Sequence, residues 1–262
     1  MMQDKTLNGF TLPPLGPLAS PGYAPIEPEL RDALLLVAVP TLSAVMFQMG
    51  LHSRFFTGLR PLNPDQPRFC GAAWTVRAIP VREDIRTAIS SRAAPSLNRL
   101  ALDAAPEGSV VVCGSGGHPS VAFMGDIMST ALISRGVAGI VLDTGISDAS
   151  LVARMSLPVV CAGRDAVSSF SAIMVVGCNE PIGVHHVAVF PGDIIVGDAD
   201  GAVCVPRHLA MQIAGMAAEQ ERLEAYVIER VRAGVPIDIA YPPNADTLAA
   251  YRLWCAQQDS AA

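Results

Sequence analysis

The stretch 125–148 constrains the fold of this 262-residue chain more than any other. Residues 129–133 favour a helix that Gly136 would end, because glycine readily adopts the left-handed conformation found after helix C-termini. Residues 137–142 then form a nearly all-apolar run, which is typical of a strand buried on both faces. A helix followed by such a strand predicts a layered α/β domain.

Polar residues follow this predicted strand and indicate a ligand site. They include Asp143 and Asp148, and ligands of open α/β sheets bind beyond the carboxyl ends of the strands. The first turn of the preceding helix, residues 125–128, offers free backbone N–H groups that favour an anion. We expect Asp143 to fix the loop by accepting backbone hydrogen bonds.

The organisation of the whole chain follows from composition and periodicity. Five prolines in residues 1–27 predict an extended arm, and residues 28–234 carry alternating strand and helix patterns. Residues 235–262 read as a C-terminal extension with a short helix. Asp-Gly at 200–201, between two apolar runs, predicts a β-hairpin.

Two further local predictions concern helix and strand boundaries. Residues 27–39 read as a helix that stops before Pro40, with Thr41 as the cap of a second helix. Residues 182–190 read as one strand that contains two adjacent histidines. Neighbouring side chains of a strand point to opposite faces, so this pair should not bind one metal.

Composition excludes several classes of function. The net charge is −6 and no Lys/Arg cluster occurs, so we expect no direct nucleic-acid binding. The apolar run 34–49 is short and interrupted, which predicts no membrane span. Six scattered cysteines without a Cys-x-x-Cys pair, and a start without a signal pattern, predict a cytoplasmic protein with small buried thiols.

Two sequence features leave alternatives open. Glu83 and Asp84 are either acids that suit the start of a helix or members of a site. The glycine-rich loop 114–117 lacks the spacing of phosphate-binding and dinucleotide-binding loops. His118 after it is either a solvated side chain or a general base.

Several motifs together resemble the RraA-like family. They are Gly-Asp-Ile-Met at 125–128, Arg-Gly-Val-Ala-Gly at 135–139, Asp-x-Gly-x-x-Asp at 143–148 and Phe-Pro-Gly-Asp-Ile-Ile-Val-Gly-Asp-x-Asp-Gly at 190–201. The family includes the regulator of ribonuclease activity A and the 4-hydroxy-4-methyl-2-oxoglutarate and 4-carboxy-4-hydroxy-2-oxoadipate aldolases. The resemblance spans about residues 40–234.

The resemblance implies an α/β/β sandwich of the swivelling-domain type, assembled as a homotrimer or hexamer. It implies a lyase that uses Mg²⁺ or Mn²⁺ on a small 2-oxo acid, by retro-aldol cleavage or oxaloacetate-type decarboxylation. In both reactions the cation acts as a Lewis acid on an enolate. The alternatives are a non-catalytic regulatory protein and a repurposed dehydratase or isomerase.

Site residues follow from the matched positions. Asp148 corresponds to the metal-binding aspartate, and the run Gly125, Asp126, Ile127 and Met128 corresponds to the turn that binds the substrate carboxylate. Asp126 occupies an acidic position of the family and is expected to order metal-bound water.

One departure from the family pattern affects catalysis. Ser147 stands where the family has arginine, and removing one preorganised donor typically costs a factor of about 10² to 10³ in rate. Ser147 remains a candidate substrate-binding and catalytic residue. Arg82, Arg77 and Arg164 are the candidates for a compensating cation, and Arg82 is our expected catalytic residue.

Overall fold

The computed structural model describes residues 23–91, 96–117 and 120–259. Most of the predicted arm and His118 lie outside this part of the chain. The described helices are α1 Pro28–Leu36, α2 Val39–Gln48, α3 Glu83–Ser90, α4 Leu97–Asp103, α5 Asp126–Ser134, α6 Ala149–Val152, α7 Ala210–Arg232, α8 Ile237–Ala240 and α9 Ala245–Asp259. The described strands are β1 Arg60–Pro61, β2 Phe69–Pro80, β3 Val110–Gly114, β4 Gly139–Ile146, β5 Val159–Arg164, β6 Ile173–Cys178, β7 Ile182–Val184, β8 Val187–Val189, β9 Ile194–Gly197 and β10 Ala202–Val205.

The long strand β2 joins two sheets. Strands β2, β3, β4 and β5 run parallel, with β1 antiparallel to β5 and β6 antiparallel to the end of β2. The first residues of β2 pair instead with β9, and β9 forms an antiparallel hairpin with β10. Two sheets that share one strand fold over each other, which confirms the predicted α/β/β sandwich.

Three apolar layers hold the sandwich together, and alternate residues of each strand enter different layers. Val111 and Cys113 face helices α4 and α5, whereas Val110 and Val112 face the second sheet and the β7–β8 hairpin. The outer face of β9 and β10 packs on α1, α2 and α7. All six cysteines are free, and burial raises the pKa of the Cys113 thiol well above its usual value, with Asp143 adding to the shift. The five cysteines that lie in these layers act as packing residues.

The structure corrects three local predictions. Helix α1 ends at Leu36 and α2 begins at Val39, so Pro40 lies in the first turn of α2, where proline is tolerated. Thr41 lies inside α2 and does not cap it. The predicted strand at 182–190 is the β7–β8 hairpin, whose turn contains His185 in a left-handed conformation (φ 50°).

The third correction concerns the site. Strand β4 continues through residues 143–146, which we had predicted as loop, and the polar loop begins only at Ser147. The register of β4 with β5 shifts between Leu142 and Gly145, so the pairing of the two strands is irregular in this segment.

Within the described residues, no single helix is both long and apolar enough to cross a membrane. Helices α1 and α2 reach that length and composition only when taken together, and the chain bends by 100° between them.

Candidate active site

The site lies at the edge of the sandwich where β3, β4 and β5 end. These neighbouring strands are parallel, so the segments that follow them leave from the same edge. The segment 121–124 runs along the end of β4 and places the start of α5 beside the polar loop. Three backbone bonds fix it: Gly145 N–H to Val121 O (2.8 Å), Phe123 N–H to Gly145 O (3.0 Å) and Ser147 N–H to Met124 O (3.0 Å).

Asp143 has the structural role that we predicted. Its carboxylate is fully buried and accepts hydrogen bonds from the backbone N–H of Ser115 (2.8 and 2.9 Å) and of Gly117 (3.3 Å). It thus fixes the glycine-rich loop after β3. The adjacent Thr144 is also fully buried, and its hydroxyl has no partner in the described part of the chain.

The N-terminus of α5 is open. Gly125 precedes the helix, and the carboxylate of Asp126 accepts a hydrogen bond from the N–H of Ile127 (2.7 Å). The N–H groups of Asp126 and Met128 have no acceptor among the described residues. Two unpaired donors at the positive end of a helix suit an anionic ligand.

Asp148 faces this helix start, as the sequence predicted. Its side chain is exposed, and its backbone is left-handed (φ 51°, ψ 30°), which is uncommon for a residue with a side chain. The Ser147 hydroxyl donates to an Asp148 carboxylate oxygen (3.1 Å). A Cβ at Gly125 would lie 2.5 Å from the Ser147 oxygen and closer still to that carboxylate oxygen. Only glycine therefore leaves room for these two groups beside the helix.

A cavity of about 930 Å³ opens beside this cluster. Its walls come from α3, α4, the segment 121–125, α5 and the loop after β5. The described lining residues are Ile89, Ser90, Ser96, Asn98, Arg99, Ala122, Phe123, Met124, Gly125, Met128, Ser147, Ala166, Ser168, Ser169 and Phe170. Gly125, Met128 and Ser147 of the predicted site belong to this wall.

The sequence-based reasoning missed Arg99, the one charged side chain among these described lining residues. It lies on the exposed face of the short helix α4, where an arginine has no distinguishing local signal. Only the packing of α4 beside α5 brings it to the cavity.

None of the three predicted compensating cations lines the described wall of the cavity. Arg82 is exposed and pairs with Asp84 (2.7 Å), whose pKa lies below its usual value because Arg82 donates to it. Arg77 pairs with Glu180 (3.0 Å). Arg164 is the exposed last residue of β5, next to Ile146 in the register. Arg82 is therefore not brought together with Gly125 and Ser147, and Glu83 and Asp84 form part of a helix start.

The donor groups fit a hard, water-rich divalent cation. The described residues contain no cluster of three His, Cys, Asp or Glu side chains that could enclose a metal. Mg²⁺, however, usually keeps several waters and binds one or two carboxylates together with its ligand. An exposed carboxylate, a hydroxyl and an open anion site beside a cavity match that requirement.

The fold and this arrangement define the class of protein. The family model for RraA-like proteins, described as Aldolase/RraA, matches residues 28–204, so the chain belongs to the RraA-like family. The chain is 26% identical to an uncharacterised protein from Pseudomonas syringae pv. tomato, with a TM-score of 0.71 over 83% of this chain and 99% of that one. It is 28% identical to Streptomyces coelicolor RraAS2, described as an unusual member of the RNase ES inhibitor RraA family, with a TM-score of 0.68 over 77% and 96% of the two chains.

A curated relative carries an enzyme name. A protein from Halalkalibacterium halodurans, provisionally named 4-hydroxy-4-methyl-2-oxoglutarate aldolase, is 33% identical over 103 residues. That match covers 39% of this chain and 49% of the relative. The chain thus spans about half or less of the length of the curated relatives that it matches.

Proposed function

We propose that this protein is a divalent-metal-dependent lyase that cleaves a carbon–carbon bond of a small 2-oxo acid. The observation that carries the proposal is the position of Asp148. Its exposed carboxylate lies against the open N-terminus of α5, next to Gly125 and Ser147, which line a cavity of ligand size. The aldolase name of one relative supports this reaction class.

Asp148 would hold the cation, Mg²⁺ or Mn²⁺, with the rest of its ligands supplied by water and substrate. A cation bound there supplies Lewis-acid chemistry for charge that develops on a ketone oxygen. Ser147 donates to Asp148 and so orients the carboxylate. Its neutral hydroxyl does not replace a guanidinium, which offers a fork of donors.

The chain's other residues bind and orient the substrate. The free N–H groups of Asp126 and Met128 would donate hydrogen bonds to the carboxylate of the 2-oxo acid, and Gly125 lets that carboxylate approach the backbone. Asp126 is half-buried at the same turn and would order water there. Cleavage then leaves negative charge next to the ketone, for retro-aldol cleavage and for decarboxylation alike.

We also propose a homotrimer or hexamer, as the family resemblance implies. Ile127 is 81% exposed in the middle of the site's own turn, an unfavourable position for a large apolar side chain unless another surface covers it.

Isothermal calorimetry with oxalate, in the presence and absence of Mn²⁺, tests the lyase proposal. We expect oxalate binding that requires Mn²⁺ in the wild-type protein and is lost in Asp148→Asn. Asp103→Asn is the matched control, because Asp103 is an exposed carboxylate that pairs with Arg135 away from the cavity wall. Equal binding in Asp148→Asn and wild type would reject Asp148 as the metal ligand.

The second candidate is a non-catalytic regulatory protein. The observation that favours it is Ser147 in the position of the family arginine, together with the inhibitor family named for the Streptomyces neighbour. Ser147→Arg separates the two. In a lyase with an otherwise intact pocket, the variant should raise metal-dependent oxaloacetate decarboxylation, whereas a regulatory protein should stay inactive.

A further inference from the structure

The cavity beside Asp148 has a largely polar wall. Its polar lining consists of five serines, one asparagine and Arg99, and no carboxylate belongs to the described lining. Arg99 is thus the one charged side chain of the described lining, and the open N-terminus of α5 adds a positive potential through Gly125 and Met128. The carboxylates of Asp148 and Asp126 lie at the rim, where a cation would offset their charge. A polar, positive cavity favours an anion.

Arg99 is available to such an anion. No salt bridge or hydrogen bond of its side chain occurs among the described residues, whereas Arg77, Arg82 and Arg135 all pair with carboxylates. Within residues 23–91, 96–117 and 120–259, its guanidinium therefore has no acceptor that a ligand would have to displace.

The backbone that carries Arg99 is held in place. The Trp74 indole N–H donates to Ala101 O (2.9 Å), and the Asn98 amide donates to Phe123 O (3.4 Å). The second bond ties α4 to the segment that leads into Gly125. A fixed base reduces the conformational entropy lost when the arginine binds a ligand.

We propose that Arg99 binds a carboxylate group of the ligand in this cavity, and that it supplies the positive charge that Ser147 cannot. Arginine matches a carboxylate with two parallel hydrogen bonds, and charge-assisted bonds of this kind are the stronger ones. The compensating cation thus comes from α4 and not from the loop that contains Asp148. This inference rests on the proposed function, which gives the cavity a carboxylate ligand.

Calorimetry with oxalate tests the role of Arg99. With Mn²⁺ present, Arg99→Gln should raise the dissociation constant of oxalate roughly tenfold, and Arg99→Lys should recover most of that loss. Arg135→Gln is the matched control: it removes the same charge from the far end of α5 and should bind oxalate as the wild type does. Unchanged binding in Arg99→Gln, or an equal loss in Arg135→Gln, would overturn the proposal.

A double variant separates a direct contact from a structural effect. Arg99→Gln combined with Ser147→Arg should bind oxalate more tightly than Arg99→Gln alone, because the second change restores a guanidinium at the same cavity. Circular dichroism should first show that both variants are folded. If the double variant then binds oxalate no more tightly than Arg99→Gln, Arg99 does not act through a charge contact with the ligand, and the proposal fails.

The outcomes distinguish this inference from the proposed function. Mn²⁺ binding without oxalate, measured by electron paramagnetic resonance, should depend on Asp148 and not on Arg99. Oxalate binding that depends on Arg99 but not on Mn²⁺ would support the anion site and reject the metal lyase. Absence of oxalate binding by the wild type under both conditions would overturn both.

Discussion

The N-termini of helices α2 and α5 differ in whether carboxylates of the same chain accept hydrogen bonds from their backbone N–H groups. At α2, carboxylates from distant parts of the chain close the N-terminus: Asp198 accepts from Val39 N–H (2.9 Å), and Glu221 accepts from Ala38 N–H (2.9 Å) and the Thr41 hydroxyl (2.9 Å). Both acids are more than 150 positions away in sequence. The N–H of Val39 in the first turn and that of the preceding Ala38 are thus satisfied inside the fold.

At α5 the same kind of helix start stays open. Asp126 satisfies only the neighbouring Ile127 N–H, and Asp148 lies close to the turn without closing it. The comparison shows that this fold can close an anion-binding turn with its own carboxylates. The open donors are satisfied by water and are therefore available to a ligand that replaces it.

The largest loss of stability is expected from a substitution that removes an acceptor at the N-terminus of α2. Asp198→Ala leaves the buried Val39 N–H without an acceptor and also removes the bond from Asp200 N–H (2.8 Å). We expect the free energy of unfolding to fall by about 2–3 kcal/mol and the melting temperature to fall by roughly 4–10 °C. Urea and thermal denaturation followed by circular dichroism measure both.

The neighbouring Asp200→Ala is the control for that experiment. Asp200 is exposed, so its removal should change the free energy of unfolding by less than about 0.5 kcal/mol. If Asp198→Ala and Asp200→Ala lose similar free energy of unfolding, the hydrogen bond from Val39 N–H to Asp198 does not contribute specifically to stability.

At the N-terminus of α5, Gly125→Ala is expected to have a smaller effect on stability and a large effect on oxalate binding. Gly125→Ala places a methyl group where the Ser147 and Asp148 oxygens lie, so these side chains must move away. The free energy of unfolding should fall by about 1 kcal/mol or less, whereas Mn²⁺-dependent oxalate binding should weaken at least roughly tenfold.

Gly215→Ala supplies the matched control for this methyl group. Gly215 lies inside α7 with nothing near its Cβ position, so the change should stabilise the helix slightly and leave oxalate binding unaltered. Wild-type oxalate binding in Gly125→Ala would show that the space beside α5 is not used.

The contrast between the two helix starts also explains what the sequence could predict. Gly136 and the apolar run before Asp143 are local signals, and they located α5 and the first half of β4. The start of α2 was misplaced because its capping groups, Asp198 and Glu221, come from remote segments. A cap supplied by residues more than 150 positions away cannot be predicted from the sequence around the helix.

The site was predictable to the extent that it is local. Gly125 and Asp148 were identified from their motifs, and the structure brings them together. The continuation of β4 past Asp143 was missed, since buried aspartates in strands are rare and this one depends on backbone donors of another loop. Arg99 was missed because its position follows from helix packing alone.

The smallest change in stability is expected for Asp148→Asn, and this variant tests the difference between α2 and α5 most directly. Asp148→Asn keeps a side chain that tolerates the left-handed backbone, and the exposed carboxylate accepts a side-chain hydrogen bond only from Ser147 among the described residues. The free energy of unfolding in urea should therefore change by less than about 0.5 kcal/mol, well below the loss in Asp198→Ala. A loss above about 1 kcal/mol would mean that Asp148 closes its helix start much as Asp198 does, and the argument for a ligand at that turn would fail.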